Sequence, residues 1–227
     1  MTAIKAPEQA APVAAAAPSS ERQSGQPLEQ RHGQPAPPLK QLPEPAVLID
    51  IQLGGALARD LRAQLPSAED LQRWVLAALD PQHSPRQAVP HWPAELTIRI
   101  TDEAESAEFN QRYRGRPGPT NILSFPFEPP PGIDTSDPTC AEINALLGDL
   151  LICAPLVQCE AAEQGKTETA HWAHLVVHGT LHLLGYDHLT AVEAASMEAL
   201  EIDILGALGF PSPYEVNHDA NGERRRI

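Results

Sequence analysis

Between Ala46 and Leu53 the chain reads AVLIDIQL, with apolar residues interleaved with polar ones at the period of a strand. SAEDLQRWVLAALD follows with a helical apolar spacing, a Ser67 cap and acidic residues in its first turn. The same succession recurs. AELTIRIT alternates Leu96, Ile98 and Ile100 with Thr97, Arg99 and Thr101, a half-buried strand, and DEAESAEFNQRYR is a helix capped by Asp102. Gly115, Pro117, Gly118 and Pro119 enforce a loop before TNILSFPFE resumes extended structure over Thr120–Glu128. The proline-rich PPPGIDTSDPT is a surface excursion, after which LLGDLLICA, Leu146–Ala154, is a compact apolar strand. Three helices complete the pattern, over about 155–164, 167–184 and 191–208. The last presents Val192, Met197, Leu200, Ile204 and Leu208 on one face and stops at Gly209. The expected architecture over residues 46–214 is one α+β domain, with a mixed sheet of about four strands and about five helices.

Composition changes the picture at the two ends. Prolines are concentrated towards the N-terminal half, and residues 1–45 carry almost no large apolar side chains, so they read as a disordered Pro/Ala-rich tail. Residues 215–227, with their three terminal arginines, read as a flexible C-terminal tail. APVAAAAP lacks the basic flank and unbroken apolar run of a signal peptide, and no segment approaches the ~20 apolar residues that span a bilayer. A soluble, cytoplasmic protein is expected, with no membrane partner. Cys140, Cys153 and Cys159 cannot all pair within the chain and lack CxxC spacing, which suits idle thiols in a reducing compartment. A formal net charge of −14 opposes bulk coating of nucleic acid but leaves room for a local basic site. Arg112, Arg114 and Arg116 in QRYRGRPGPT form such a cluster.

The candidate chemistry lies in HLVVHGTLHLLGYDHLT, His174–Thr190. His178 and His182 are four apart, so a helix stacks them on one face, and Gly185 can turn the chain back to bring His188 towards them. Three imidazoles with a fourth position open is the pattern of a catalytic zinc site, placed on a central C-terminal helix and the turn after it. Imidazole alone also suits Ni, Cu or Fe. Such an ion lowers the pKa of bound water from ~15.7 towards ~7 and acts as a Lewis acid, so hydrolysis is the expected chemistry. The frame H-x-x-x-H-x-x-G-x-x-H is that of the metzincin proteases, but Gly179 stands where those enzymes carry their glutamate base. A glycine there either leaves room for a large substrate beside the metal or lets the helix pack closely.

The residues His178 to His188 match H-G-x-L-H-L-x-G-Y-D-H, and the chain thereby resembles the YbeY family of metal-dependent endoribonucleases of bacterial ribosomal RNA maturation. NQRYRGRPGPTNILSFPFE and LLGDLLIC are similar to the family's arginine-containing loop and Leu-Gly-Asp strand, so the likeness runs over roughly 46–214. The resemblance implies one Zn2+ held by His178, His182 and His188, and Arg114 as an essential catalytic residue. It further implies single-strand-specific cleavage of ribosomal RNA precursors, particularly in 3′-end maturation of small-subunit rRNA, with ribosomal proteins or assembly factors as partners. Where family members usually carry an acidic residue after the basic one in the loop, this chain has Arg116, Pro117 and Gly118. Thr120, Asn121 and Ser124 fit the pattern, with loop backbone or a phosphate as their partners. Asp149 also fits, as support behind the ligands or as a strand-end cap. Asp187 is a candidate to orient a ligand or accept a proton; Trp172 and His174 read as packing or rim residues. Two other classes remain open: a zinc-dependent peptide or amide hydrolase, and a ribosome-assembly module in which zinc is structural.

Overall fold

The structure, a computed structural model, describes residues 47–80, 82, 93–134, 137 and 140–214. The expected tails at 1–45 and 215–227 lie outside the described residues. The elements are β1 (Val47–Leu53), α1 (Arg59–Arg62), α2 (Ala68–Leu79), β2 (Ala94–Thr101), α3 (Glu103–Arg114), β3 (Ile122–Pro126), α4 (Ala141–Ala145), β4 (Leu146–Cys153), α5 (Ala154–Glu163), α6 (Glu168–Leu183) and α7 (Ala191–Ala207). All four expected strands and all five expected helices are present, and the fold is α+β with a mixed sheet. The helix count among the described residues is seven because α1 and α4 are single turns of four and five residues, too short to show a period.

Capping fixes where the longer helices begin. Ser67 accepts from the Asp70 amide, Asp102 from that of Glu105, Thr167 from that of Ala170, and Thr190 forms a reciprocal capping box with Glu193. The sheet order is β1-β2-β4-β3, parallel between β1, β2 and β4, with β3 antiparallel on the edge. Helix α6 packs on β3 and β4, α2 on β1 and on α6, and α7 on α6. Leu96, Ile98, Ile100, Leu150 and Ile152 of the sheet meet Trp74, Val176, Val177, Leu181 and Met197 of the helices in one buried core.

Two expectations are corrected here. On α7, Met197 and Ile204 are buried and Leu200 and Leu208 partly so, but Val192 is 80% exposed because at 3.6 residues per turn it falls on the opposite side of the helix from Met197, Glu201, Ile204 and Leu205. Asp149 is exposed on the sheet face that also carries Leu48, Glu95 and Thr97. Alternation along β4 sends Leu150 and Ile152 into the core under α6, so Asp149 points away from the histidines and cannot support them.

Candidate metal centre and its cleft

Helix α6 is enclosed on most of its circumference. From His171 to Leu183 every residue is buried except His174, His178 and His182, which form a strip along its one partly open side. The helix ends in a Schellman turn: the Tyr186 amide donates to Leu181, the Gly185 amide donates to His182, and Gly185 takes φ 85°. That left-handed residue reverses the chain and returns His188 to the strip. The ring centroids of His178 and His182 are 4.6 Å apart, and that of His188 is 5.8 and 5.0 Å from them. One ligand atom from each of the three lies within 4.8 Å of the others.

The outward nitrogens of two of these rings are fixed by what lies behind them. His178 Nδ1 donates to Glu201 Oε1 at 2.7 Å, and His182 Nδ1 donates to the Tyr186 carbonyl at 2.9 Å. An ionised carboxylate and a carbonyl can only accept, so each neutral ring keeps its proton on Nδ1 and presents a bare lone pair at Nε2. Those two Nε2 atoms face each other at 3.2 Å. Burial, followed by the charge of His178, pushes the His182 pKa down, which favours the neutral ring. Two lone pairs held together without a proton between them are a donor set for a cation, and imidazole nitrogens suit a borderline ion such as zinc.

Glu201 is the residue that sequence reading missed. It lies on the apolar face of α7 and is 1% exposed. Its Oε1 accepts from His178 Nδ1, while Oε2 accepts from His174 Nε2 at 3.0 Å and from the Tyr214 hydroxyl. Burial pushes this carboxyl up, but the hydrogen bonds from His174, His178 and Tyr214 outweigh it and hold the group at about 2. Burial and then the carboxylate push the Tyr214 phenol far above its ordinary range. His174, His178 and Glu201 are a second group whose atoms are close enough for a metal, but here every short contact is already a donor meeting an acceptor. His174 is therefore a partner of Glu201 rather than a rim residue, while Trp172 is buried packing as expected.

The three histidines open into a cleft of about 640 Å³ that Arg114, Arg116, Asn121, Ser124 and Asp187 also line. Arg114 closes α3, and Gly115 at φ 66° turns the chain into the loop that carries Arg116. The buried Asn110 donates to the Gly118 carbonyl, and the buried Ser106 exchanges hydrogen bonds with the backbone of Thr120. The loop is thus held from beneath by its own helix. Among the described residues neither arginine side chain has an acidic partner, so two cations face the cleft of an acidic protein. Asn121 donates to Glu160 and accepts from the Ile122 amide, the protein-bound alternative of the two expected for it. Asp187 accepts from the His188 amide and is the carboxylate in the cleft wall.

Gly179 faces the sheet. A Cβ there would lie 2.7 Å from Ile122 Cδ1 and 2.8 Å from Leu150 Cδ2. Close packing is therefore its role, and a glutamate base has no room at this position.

The chain is similar to known proteins over most of its length. A family model described as Endoribonuclease YbeY matches residues 59–209. The chain is 54% identical over 157 residues to the Endoribonuclease YbeY of Alkalilimnicola ehrlichii, covering 69% of this chain and 86% of that protein. With the Endoribonuclease YbeY of Nitrosococcus oceani it shares 53% over 155 residues, 68% of this chain and 91% of the relative. The solution structure of TM1509 from Thermotoga maritima aligns with a TM-score of 0.39 at 23% identity, covering 78% of this chain and all of that one. No helix among the described residues is long and apolar enough to cross a membrane. With the family matched over the span that carries the histidine strip, the arginine loop and strands β2, β3 and β4, this chain belongs to the YbeY endoribonuclease family.

Proposed function

We propose that the chain is a metal-dependent endoribonuclease that cuts single-stranded segments of ribosomal RNA precursors, including the 3′ end of small-subunit rRNA, in the cytoplasm. One Zn2+ is held by His178, His182 and His188. The observation that carries this reading is the pair of Nε2 lone pairs opposed at 3.2 Å, each fixed by a committed Nδ1 proton, at the base of a cleft with two arginines that have no acidic partner among the described residues. A zinc ion bound by these three histidines would supply Lewis acidity and would lower the pKa of a bound water towards neutrality.

The chain's own residues do the rest. Arg114, the catalytic arginine of this reading, presents a planar guanidinium that engages a phosphodiester and stabilises the negative charge that grows on its oxygens. Arg116 adds a second positive charge at the mouth, and it is followed by Pro117 and Gly118 without the acidic residue usual in the family's loop. Asp187 is positioned to take the proton from attacking water. With a formal net charge of −14, this small patch has to grip RNA against the field of the whole molecule, which supports a role for ribosomal proteins or assembly factors in delivering the substrate. The peptide-hydrolase alternative loses support because position 179 packs against Ile122 and Leu150.

The test is purified chain with its metal quantified, incubated with precursor small-subunit rRNA beside Arg114→Ala and a chelated sample. Cleavage by the intact protein alone supports the reading. Equal cleavage by all three points to a contaminating nuclease and removes it.

A further inference from the structure

The cluster behind the metal ligands has more parts than a single hydrogen bond to His178 requires. Glu201 is a buried carboxylate on α7, and three donors from two places converge on it: His178 and His174 from α6, and Tyr214 from the segment after α7. That segment turns at Gly209, φ 84°, and runs back along the body. Lys166, in the α5–α6 connection, clamps it by donating to the Pro213 carbonyl at 2.6 Å while also donating to Gln164 Oε1 at 2.7 Å. The Tyr214 ring then meets the edge of His174, centroid to centroid 5.8 Å. The residues that match the family model end at 209, so Tyr214 reaches the site from beyond them.

From this convergence we infer that the C-terminal strap is a positioning element for the metal centre, with Tyr214 and His174 holding the Glu201 carboxylate in the one orientation that fixes the tautomer and tilt of His178. The inference deepens the proposed function and rests on its metal site. A carboxylate bonded only through Oε1 would be free to rotate about its terminal torsion, and the His178 ring would follow. Donors on Oε2 remove that freedom, since both oxygens are then committed in one plane. Partners placed behind metal-ligating histidines in this way set ring orientation and ligand basicity. The two oxygens accept three protein donors between them, so Glu201 acts through His178 rather than as a ligand itself.

The test uses the full chain stripped of metal, with Tyr214→Phe and Glu201→Gln beside it. Zn2+ affinity is measured by competition with a chromophoric chelator, the visible spectrum is recorded with Co2+ in place of Zn2+, and the melting temperature of each metal-free protein is taken. Glu201→Gln is expected to lower Zn2+ affinity by ~10–100-fold, and Tyr214→Phe to give a smaller loss in the same direction with an altered Co2+ spectrum. A strap that merely fastens α7 to α6 would lower the metal-free melting temperature and leave affinity and spectrum unchanged, and that result overturns the inference. Should Glu201→Gln fail to fold, Tyr214→Phe decides alone, because it removes one hydroxyl from a side chain with a solvent-facing edge. If the unaltered chain binds neither Zn2+ nor Co2+, the metal site itself is refuted and the inference falls with it; binding by the unaltered chain with equal binding by both variants refutes the inference alone.

Discussion

Gly179 and Gly206 allow one substitution to be read in two environments. Both lie inside long helices, α6 and α7, and alanine is favoured over glycine in a helix interior by ~0.8–1.0 kcal/mol. A Cβ on Gly206 would meet nothing within 4 Å, so Gly206→Ala is expected to stabilise by about 0.5–1 kcal/mol, somewhat reduced because it sits in the last turn. A Cβ on Gly179 would press on Ile122 Cδ1 and Leu150 Cδ2 at 2.7 and 2.8 Å, and these side chains are themselves 6% and 0% exposed. Because both side chains are packed in the core they yield only at a cost, and overpacking of this kind costs about 1–3 kcal/mol. Gly179→Ala is therefore expected to lie between neutral and about 2 kcal/mol destabilised, a difference from Gly206→Ala of about 1–3 kcal/mol. At ~2–4 °C per kcal/mol for a domain of this size, thermal melts of the two metal-free variants separate clearly. RNA cleavage measured alongside decides what the glycine is for. If Gly179→Ala melts as high as Gly206→Ala, the packing argument is wrong; if it does so while losing kcat/KM, the glycine serves substrate access instead.

Arg114→Ala is expected to lower kcat/KM on precursor RNA by roughly 10²–10³-fold, with a melting temperature within about 1 °C of the parent because the side chain is exposed; retention of full activity would remove the arginine from the chemistry. Thr190→Ala breaks the capping box two residues after His188 and should cost about 1 kcal/mol, read as a shifted urea midpoint at constant slope. Burial, against the opposing pull of Glu160, holds the buried His171 below the ordinary histidine pKa, with the neighbouring His174 and Lys166 acting in the same direction as burial. The unfolded chain therefore binds more protons as pH falls below ~6.5, and stability present above that value is lost progressively down to the folded pKa. His171→Gln should flatten urea midpoints compared between pH 8 and pH 5.5, and an unchanged slope would show that this group does not titrate out of step with folding.

What could be read from the chain follows how local each feature is. The His178–His182 pair needs one helical turn, and His188 needs one left-handed glycine, so the three imidazoles and their common edge were legible from eleven consecutive residues. Arg114 stands beside them because β3 follows α3 through a loop held by Ser106 and Asn110, an arrangement the resemblance implied and spacing alone did not. Glu201 lies 23 residues past His178 on another helix and carries no motif. Its signal was phase: Met197, Glu201, Ile204 and Leu205 fall on the buried side of α7, and a carboxylate at a core position needs a partner that compensates its charge or fills its lone pairs. Histidines on the neighbouring helix were the available donors. The same reasoning by parity would have moved Asp149 away from the site, since Leu150 occupies the face under α6 and successive strand residues alternate. Val192 erred through phase as well: at 3.6 residues per turn it falls on the side of α7 opposite Met197, Glu201, Ile204 and Leu205, so it was never on the face assigned to it. The candidate metal ligands are thus clustered in sequence, whereas the groups hydrogen-bonded behind His178 are recruited by the packing of α7 and the chain beyond it. If the histidines hold the proposed ion, a substitution there alters its binding without touching any residue of the histidine motif.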